Sequence, residues 1–261
     1  MLNKPKKFLG QHFLKNKKIL EEMARAAEIS KKDTVLEVGP GLGSLTEILA
    51  ERAKKVIAIE KDRELIPVLR ERFKNFKNVE IIEGDILKIK NLHDGQAGLK
   101  LKNYKIVANI PYYITSRFLR LFLTHPPTAT QFLAGRPKLM VLMIQKEVAE
   151  RILARGGKES LLSLSVKAYA KPEIIRRVSK NFFSPPPKVD SAIIKLKMSK
   201  VRVLTNTEKI LGLAKIAFQQ KRKMLRHSLK NKLLTSDVEK FGNKRPEELS
   251  LEDWADLLKN A

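Results

Sequence analysis

The 261-residue chain has no cysteine, which excludes disulfides, thiolate catalysis and cysteine-ligated metal sites. Histidine is scarce as well. His12, His93, His125 and His227 stand far apart, none four residues from another, so no helical ligand pair exists and no metal is expected. No stretch approaches the roughly 20 apolar residues of a membrane span. The basic start of the chain never becomes the apolar run of a secretory signal, and no lipidation motif is evident. Internal repeats and low-complexity tracts are also missing. The expectation is a cytoplasmic protein without a membrane partner, acting as a monomer.

Acidic residues are the other shortage. Against 28 Asp and Glu stand 53 Lys and Arg, a net charge of +25 that repels itself in the folded state. A polyanion is the usual reason to carry such an excess. A membrane surface would call for a basic helix with a strong apolar face, so nucleic acid is the better partner. The hydrophobic share of 43% supports an ordinary core, and the length allows one large domain with a small appendix.

Six lysines and no acid fall within residues 1–20, around Phe8-Leu9-Gly10-Gln11-His12-Phe13-Leu14, an arm whose apolar residues need a surface to pack on. A helical period follows from Lys18 to Ile29. Strands are then predicted at 34–38, 55–60, 79–83, 105–108 and 139–144, with helices interleaved, which implies a parallel sheet covered on both faces. Ser44-Leu-Thr-Glu47 reads as a capping box, Asp62 as the cap of the next helix, and Pro67 as that helix's first regular residue. Two late strands, 174–178 and 189–196, suit an antiparallel hairpin at the sheet edge. Beyond Ser199 only short helices are predicted, at 207–218, 222–230, 236–241 and 250–260. The fold class is α/β, divided into 1–199 and a helical 200–261. In the latter, Lys221, Arg222, Lys223, Arg226, Lys230 and Lys232 form a run of six bases without an acid, read as a phosphate-binding face.

The turn Glu37-Val-Gly39-Pro-Gly41-Leu-Gly43 joins the first strand to the first helix of the alternation and offers backbone N–H groups to a ligand. Glu60 ends the next strand, where a carboxylate can accept both hydroxyls of a ribose. Proline between the glycines breaks the spacing that fits a pyrophosphate, and Glu37 suits a cationic cofactor. Together these favour S-adenosylmethionine over a dinucleotide. Two roles fit Asp85: acceptor for an adenine amine, or helix N-cap. Asn109-Ile110-Pro111-Tyr112 ends the fourth strand. An exocyclic adenine amine is a poor nucleophile because its lone pair is delocalised into the ring. The Asn109 side-chain oxygen and the Ile110 carbonyl can hold its two hydrogens, Pro111 fixes the turn, and Tyr112 offers a ring to a splayed-out base. Phe183-Ser-Pro185-Pro-Pro-Lys188-Val-Asp190-Ser191 is a stiff loop. There Phe183 either presses on the other face of that base or anchors the loop in the core, and Lys188 can meet phosphate.

As an ordered set, Gly10–Leu14, Glu37–Gly43, Glu83-Gly-Asp85, Asn109–Tyr112, Gln145-Lys-Glu147 and Phe183–Ser191 resemble the KsgA family of small-subunit ribosomal RNA adenine dimethyltransferases. The resemblance implies a Rossmann-like class I S-adenosylmethionine-dependent methyltransferase domain with a small all-helical C-terminal domain. It also implies dimethylation of two adjacent adenines in a hairpin loop near the 3′ end of the small-subunit rRNA, within the 30S particle. Carried onto this chain, the family's cofactor contacts fall on His12, Leu14, Gly39, Glu60, Asp85 and Asn109, with Glu37, Gly41 and Ile86 as further cofactor-binding candidates beside them, and Tyr112 and Phe183 take the base-holding positions. His12 and Tyr113 depart from the family, which usually has Asn at both. The related Erm type acts on one adenine of large-subunit rRNA with the same tetrapeptide, but the proline-triplet loop and the arm favour the KsgA family. An assembly factor without turnover and a nicotinamide oxidoreductase are the remaining readings; intact Asn109 and Tyr112 argue against both.

Overall fold

Aliphatic runs without polar alternation become strands buried on both faces. Val35, Leu36, Val56, Ile57, Ile106 and Val107 are all fully buried, and they form the centre of a seven-stranded sheet. The computed structural model describes residues 5–6, 9–88, 101, 103–123, 135–154, 157–199, 206–230 and 239–259. The strands are β1 (Phe13–Leu14), β2 (Thr34–Val38), β3 (Lys55–Glu60), β4 (Val79–Glu83), β5 (Lys105–Asn109), β6 (Leu139–Gln145), β7 (Ala170–Val178), β8 (Phe183–Ser184) and β9 (Ser191–Met198). The α-helices are α1 (Lys17–Ala26), α2 (Ser44–Arg52), α3 (Leu65–Arg72), α4 (Thr115–Leu123), α5 (Lys146–Ile152), α6 (Leu161–Lys167), α7 (Thr207–Phe218), α8 (Leu225–Ser228) and α9 (Leu251–Lys259).

The sheet order is β4-β3-β2-β5-β6-β9-β7. β2 pairs in parallel with β3 and β5, β3 with β4 and β5 with β6, while β9 runs antiparallel to β6. The chain moves from β2 outward to β4, then returns to place β5 on the other side of β2. That reversal opens a crevice at the carboxyl ends of β2 and β5, where ligands bind in open α/β sheets. A separate two-stranded ladder pairs β1 with β8, Phe13 opposite Ser184 and Leu14 opposite Phe183.

Two compact units divide the chain: Met1–Ala149 with Glu173–Met198, and Glu150–Pro172 with Ser199–Ala261. The expected division at 199 differs, because residues 150–172 group with the late helices. Local bonds explain this: the Glu159 N–H donates to the Glu247 carbonyl at 2.9 Å and the Ser199 N–H to the Tyr169 carbonyl at 3.0 Å. α6 also packs on α7.

Three local expectations need correction. The capping box at Ser44 and Glu47 does not form. Gly43 holds the N-cap position at φ 82°, so Ser44 is already the first helical residue, and the Glu47 carboxylate pairs with Arg72 at 2.7 Å. Helix α3 begins at Leu65 rather than Pro67, because a proline in the first turn lacks only an N–H that has no helical acceptor anyway. The predicted helix 222–230 shrinks to Leu225–Ser228, leaving Lys221, Arg222 and Lys223 on the preceding turn. Lys232 and residues 236–238 lie outside the described residues.

Gly43 and Gly39 both have positive φ, but their surroundings differ. A Cβ on Gly43 would lie 2.6 Å from the buried Phe73 ring, whereas one on Gly39 would meet nothing closer than 3.9 Å. Both alanine variants bear the left-handed penalty of about 1–2 kcal/mol. Gly43→Ala bears a further overpacking cost of about 1–3 kcal/mol. Urea denaturation should rank the stabilities wild type, Gly39→Ala, Gly43→Ala. Equal losses for the two variants would show that Phe73 yields without cost.

Candidate functional site

The crevice is a cavity lined by four groups of residues: the arm from Leu9 to Leu14, the glycine turn after β2, Glu60 and Lys61 at the end of β3, and Gly84–Ile86 after β4. Asn109–Ile114 after β5, together with Phe183, close the other end. The structure thus brings His12, Leu14, Glu37, Gly39, Gly41, Glu60, Asp85, Ile86, Asn109, Ile110, Pro111, Tyr112 and Phe183 to one cavity.

Glu60 is almost wholly buried, yet its carboxylate is well supplied with donors. Oε1 accepts the N–H groups of Lys61 and Asp62, both at 2.8 Å, and Oε2 accepts that of Gly41 at 3.1 Å. Burial pushes its pKa upward, and these three bonds pull against the shift. Lone pairs remain for a ligand hydroxyl. Glu37 is buried too, but its Oε2 has no hydrogen-bond partner among the described residues. Burial pushes its pKa up to about 8, with the nearby charge of Glu60 adding to the shift. The shift favours the protonated carboxyl near neutral pH. Asp85 caps a turn rather than a helix: Oδ1 accepts the Leu87 N–H at 3.0 Å, and Oδ2 pairs with Lys61 at 3.0 Å, a partner the sequence pattern did not indicate.

At the reacting end the Asn109 amide nitrogen donates to the His12 carbonyl at 3.2 Å, which leaves Oδ1 as the free end of the amide. The Ile110 N–H donates to the Met143 carbonyl at 3.1 Å, and no backbone N–H among the described residues donates to the Ile110 carbonyl. The Tyr112 hydroxyl bonds the buried Ser191 Oγ at 2.6 Å, and burial raises its pKa. Its ring lies 6.2 Å from that of His12, at an interplanar angle of 26°. Phe183 lines the cavity but is 4% exposed and belongs to the core cluster, so it anchors the loop as well as facing the site.

His12 is not free to serve a ligand through Nδ1, which sits 2.8 Å from the Pro185 carbonyl. Residue-level reading missed Ser191 as the Tyr112 partner, and missed the clasp over the arm. In that clasp Asp62 takes Lys6 Nζ at 2.7 Å and Gln11 Nε2 at 2.7 Å. Only a long-range contact could reveal either. Lys188 is exposed on the loop and is not part of the cavity. In the helical unit Lys221, Arg222, Lys223 and Arg226 are all exposed, and Arg226 bonds Asn243 at 2.6 Å. Among the described residues no cluster of three or more His, Asp or Glu can hold a metal, and no helix is long and apolar enough to cross a membrane.

Comparison with known proteins fits this geometry. Residues 2–260 match the family described as "Ribosomal RNA adenine dimethylase". A Dehalococcoides mccartyi (strain CBDB1) protein named "Ribosomal RNA small subunit methyltransferase A" is 40% identical, over 97% of this chain and 87% of its own length. A protein of the same name from Clostridium botulinum (strain Loch Maree / Type A3) is 42% identical, over 96% and 92%. Among solved structures, a dimethyladenosine transferase from Plasmodium falciparum superposes with a TM-score of 0.79 at 33% identity, over 95% of this chain and 96% of that one. The 23S rRNA methyltransferase ErmE gives 0.74 at 27% identity, over 95% and 98%. With the match spanning nearly every residue and the relatives this close, the chain belongs to the ribosomal RNA adenine dimethylase family.

Proposed function

We propose that the chain transfers methyl groups from S-adenosylmethionine to the N6 amino groups of two adjacent adenines in small-subunit ribosomal RNA, acting as a cytoplasmic monomer on the 30S particle during its assembly. One observation carries the reading: the Asn109 amide is turned by the His12 carbonyl so that its oxygen is left for a substrate. An amide so fixed is an acceptor for an N–H donor, which is what an adenine amine presents.

The cavity fits the methyl donor. Glu60, held by three backbone N–H groups, can accept ribose hydroxyls. The unpartnered Glu37 Oε2 suits the donor's cationic amino-acid end. Asp85 beside Ile86 can accept the adenine amine of the cofactor. When bound, S-adenosylmethionine supplies a methyl group on a cationic sulfur. The protein's part is to hold the target amine with Asn109 Oδ1 and the Ile110 carbonyl, so that its lone pair turns towards that methyl. Tyr112 supports the base ring, and its hydroxyl is fixed by Ser191. No strong base is required, because the methylated amine is acidic and loses its proton to water. Lys188 and the Lys221, Arg222, Lys223 and Arg226 group of the helical unit bind RNA phosphate.

Single-turnover methylation of unmodified 30S particles tests the chemical step. Asn109→Ala should fold and bind RNA but lose turnover by about 10²–10³-fold, the scale for removing one transition-state hydrogen bond. Near-normal rates in the folded variant would remove Asn109 from catalysis.

The pH behaviour of Glu37 tests the cofactor assignment. Its folded pKa of about 8 lies above the ordinary 4.5, so folding takes up a proton at neutral pH. Stability from this group is therefore full below pH 4.5 and lost as the pH climbs to 8. Binding a cation beside Glu37 should reverse the uptake. Calorimetry at pH 7 in buffers of different ionisation enthalpy should show release of close to one proton on cofactor binding, and none from Glu37→Gln. Equal proton release from both proteins would place the cation elsewhere.

The log–log salt dependence of RNA affinity should be steep, with a slope of about −0.7 to −0.9 per phosphate contact. Replacing Arg222, Lys223 and Arg226 together should flatten it and leave cofactor affinity alone. An unchanged slope would exclude these residues from the RNA interface.

A further inference from the structure

Tyr113 has no part in holding the methyl donor or the target amine. It follows the catalytic tetrapeptide, yet it is 55% exposed, an uncommon position for a large aromatic ring. Its ring covers Gly10 of the arm, where a Cβ would lie 3.3 Å from Tyr113 Cδ1. Tyr113 also lines two cavities. One is the cofactor and base cavity; the other is an adjoining groove of about 440 Å³ walled by Lys61, Asp85, Lys88, Ile114, Arg117 and Arg120.

The groove is basic. Lys88 and Arg117 are exposed, and their side chains form no ion pair among the described residues. Lys61 is paired with Asp85 at 3.0 Å but remains 48% exposed. Cations left without carboxylate partners, beside an exposed aromatic face, are the arrangement that single-stranded nucleic acid uses: bases stack on the ring and phosphates follow the charge. A small anion would need no ring, and an apolar peptide would need no unpaired cations. The position argues the same way. A base held at Asn109 and Tyr112 belongs to a strand that must leave the cavity, and Tyr113 is the next residue along the chain.

We propose that this groove carries the RNA strand flanking the target adenine, with the neighbouring base stacked on Tyr113 and the phosphates on Lys88 and Arg117. The inference rests on the adenine-methyltransferase reading above, and it assigns a nucleotide-binding role to a residue that departs from the family's usual Asn.

The test separates RNA binding from turnover and from cofactor binding. Affinity for a fluorescently labelled hairpin-loop RNA is read by anisotropy, and affinity for S-adenosylhomocysteine by calorimetry. KM and kcat are measured on unmodified 30S particles. Tyr113→Ala should weaken RNA binding and raise KM by about tenfold, in line with the loss of one base–aromatic stack, while Tyr113→Phe stays near wild type. Cofactor affinity should not change. Lys88→Ala with Arg117→Ala should flatten the salt slope by about 1.4–1.8, two phosphate contacts. Wild-type RNA affinity and KM in Tyr113→Ala would overturn the proposal. A Tyr113→Ala variant that loses cofactor affinity but keeps its RNA affinity would also overturn it, by assigning the ring to the cofactor cavity. If the wild type binds the RNA but methylates no 30S particle, the activity reading fails alone, and the anisotropy comparison still decides the groove.

Discussion

The hydrogen bond from the Asn109 amide to the His12 carbonyl fixes the chemistry of the site. An asparagine side chain has two ends of opposite character, and a strand end by itself does not choose between them. With the nitrogen committed to His12, the oxygen is the end left free. The orientation then depends on the arm staying in place. Two non-local devices hold it: the short ladder of β1 on β8, and the clasp of Lys6 and Gln11 on the nearly buried Asp62. Both bonds of the clasp are made to an ionised carboxylate, so they are stronger than neutral hydrogen bonds and help offset the entropy lost on ordering the arm. Arm, strand end and proline loop therefore behave as one assembly, although they are far apart in sequence.

The two buried acids of the cavity show how the same residue type is prepared for different tasks. Glu60 receives three backbone N–H groups, which offset much of its desolvation and leave it an organised acceptor. Glu37 receives no such set. Burying an ionised carboxylate with one oxygen unpartnered costs several kcal/mol, more than the ~1 kcal/mol that a neutral hydrogen bond returns. Protonation is the cheaper solution. Backbone geometry makes this difference. The residues after Glu60 turn their N–H groups back onto its carboxylate, whereas Glu37 lies inside β2, where N–H groups are committed to the ladders.

Much of this was legible in the residues, and the failures have a common cause. Strands β2 to β6 were readable because continuous aliphatic runs broken by glycine or proline have few other folded outcomes. The cavity residues that follow β2, β3, β4 and β5 were readable because they sit at the carboxyl ends of those strands, which the alternation locates. The capping box failed because Ser44 and Glu47 were judged by their own spacing. A left-handed Gly43 had already started the helix one residue earlier. The assignment of 150–172 failed for a similar reason: its partners, Glu247 and α7, lie far along the chain. β1 and β8, two residues each, carry no periodicity at all. Sequence patterns report neighbours within a turn or two, whereas Tyr112 and Ser191 meet across 79 residues and His12 and Pro185 across 173.

The departure at His12 shows what such long-range contacts tolerate. Its contribution to Asn109 is a backbone carbonyl, which any residue supplies, so the bond that orients the amide does not depend on the side chain at position 12. What changes is the side chain. The imidazole reaches the Pro185 carbonyl at 2.8 Å and lies alongside the Tyr112 ring, between the arm and the proline loop. A ring in that position stiffens the wall against which Tyr112 rests without adding a group that competes for the substrate. The side chain of His12 meets the proline loop and Tyr112 while its backbone carbonyl holds the Asn109 amide, so a residue other than asparagine can stand in the arm without disturbing that bond.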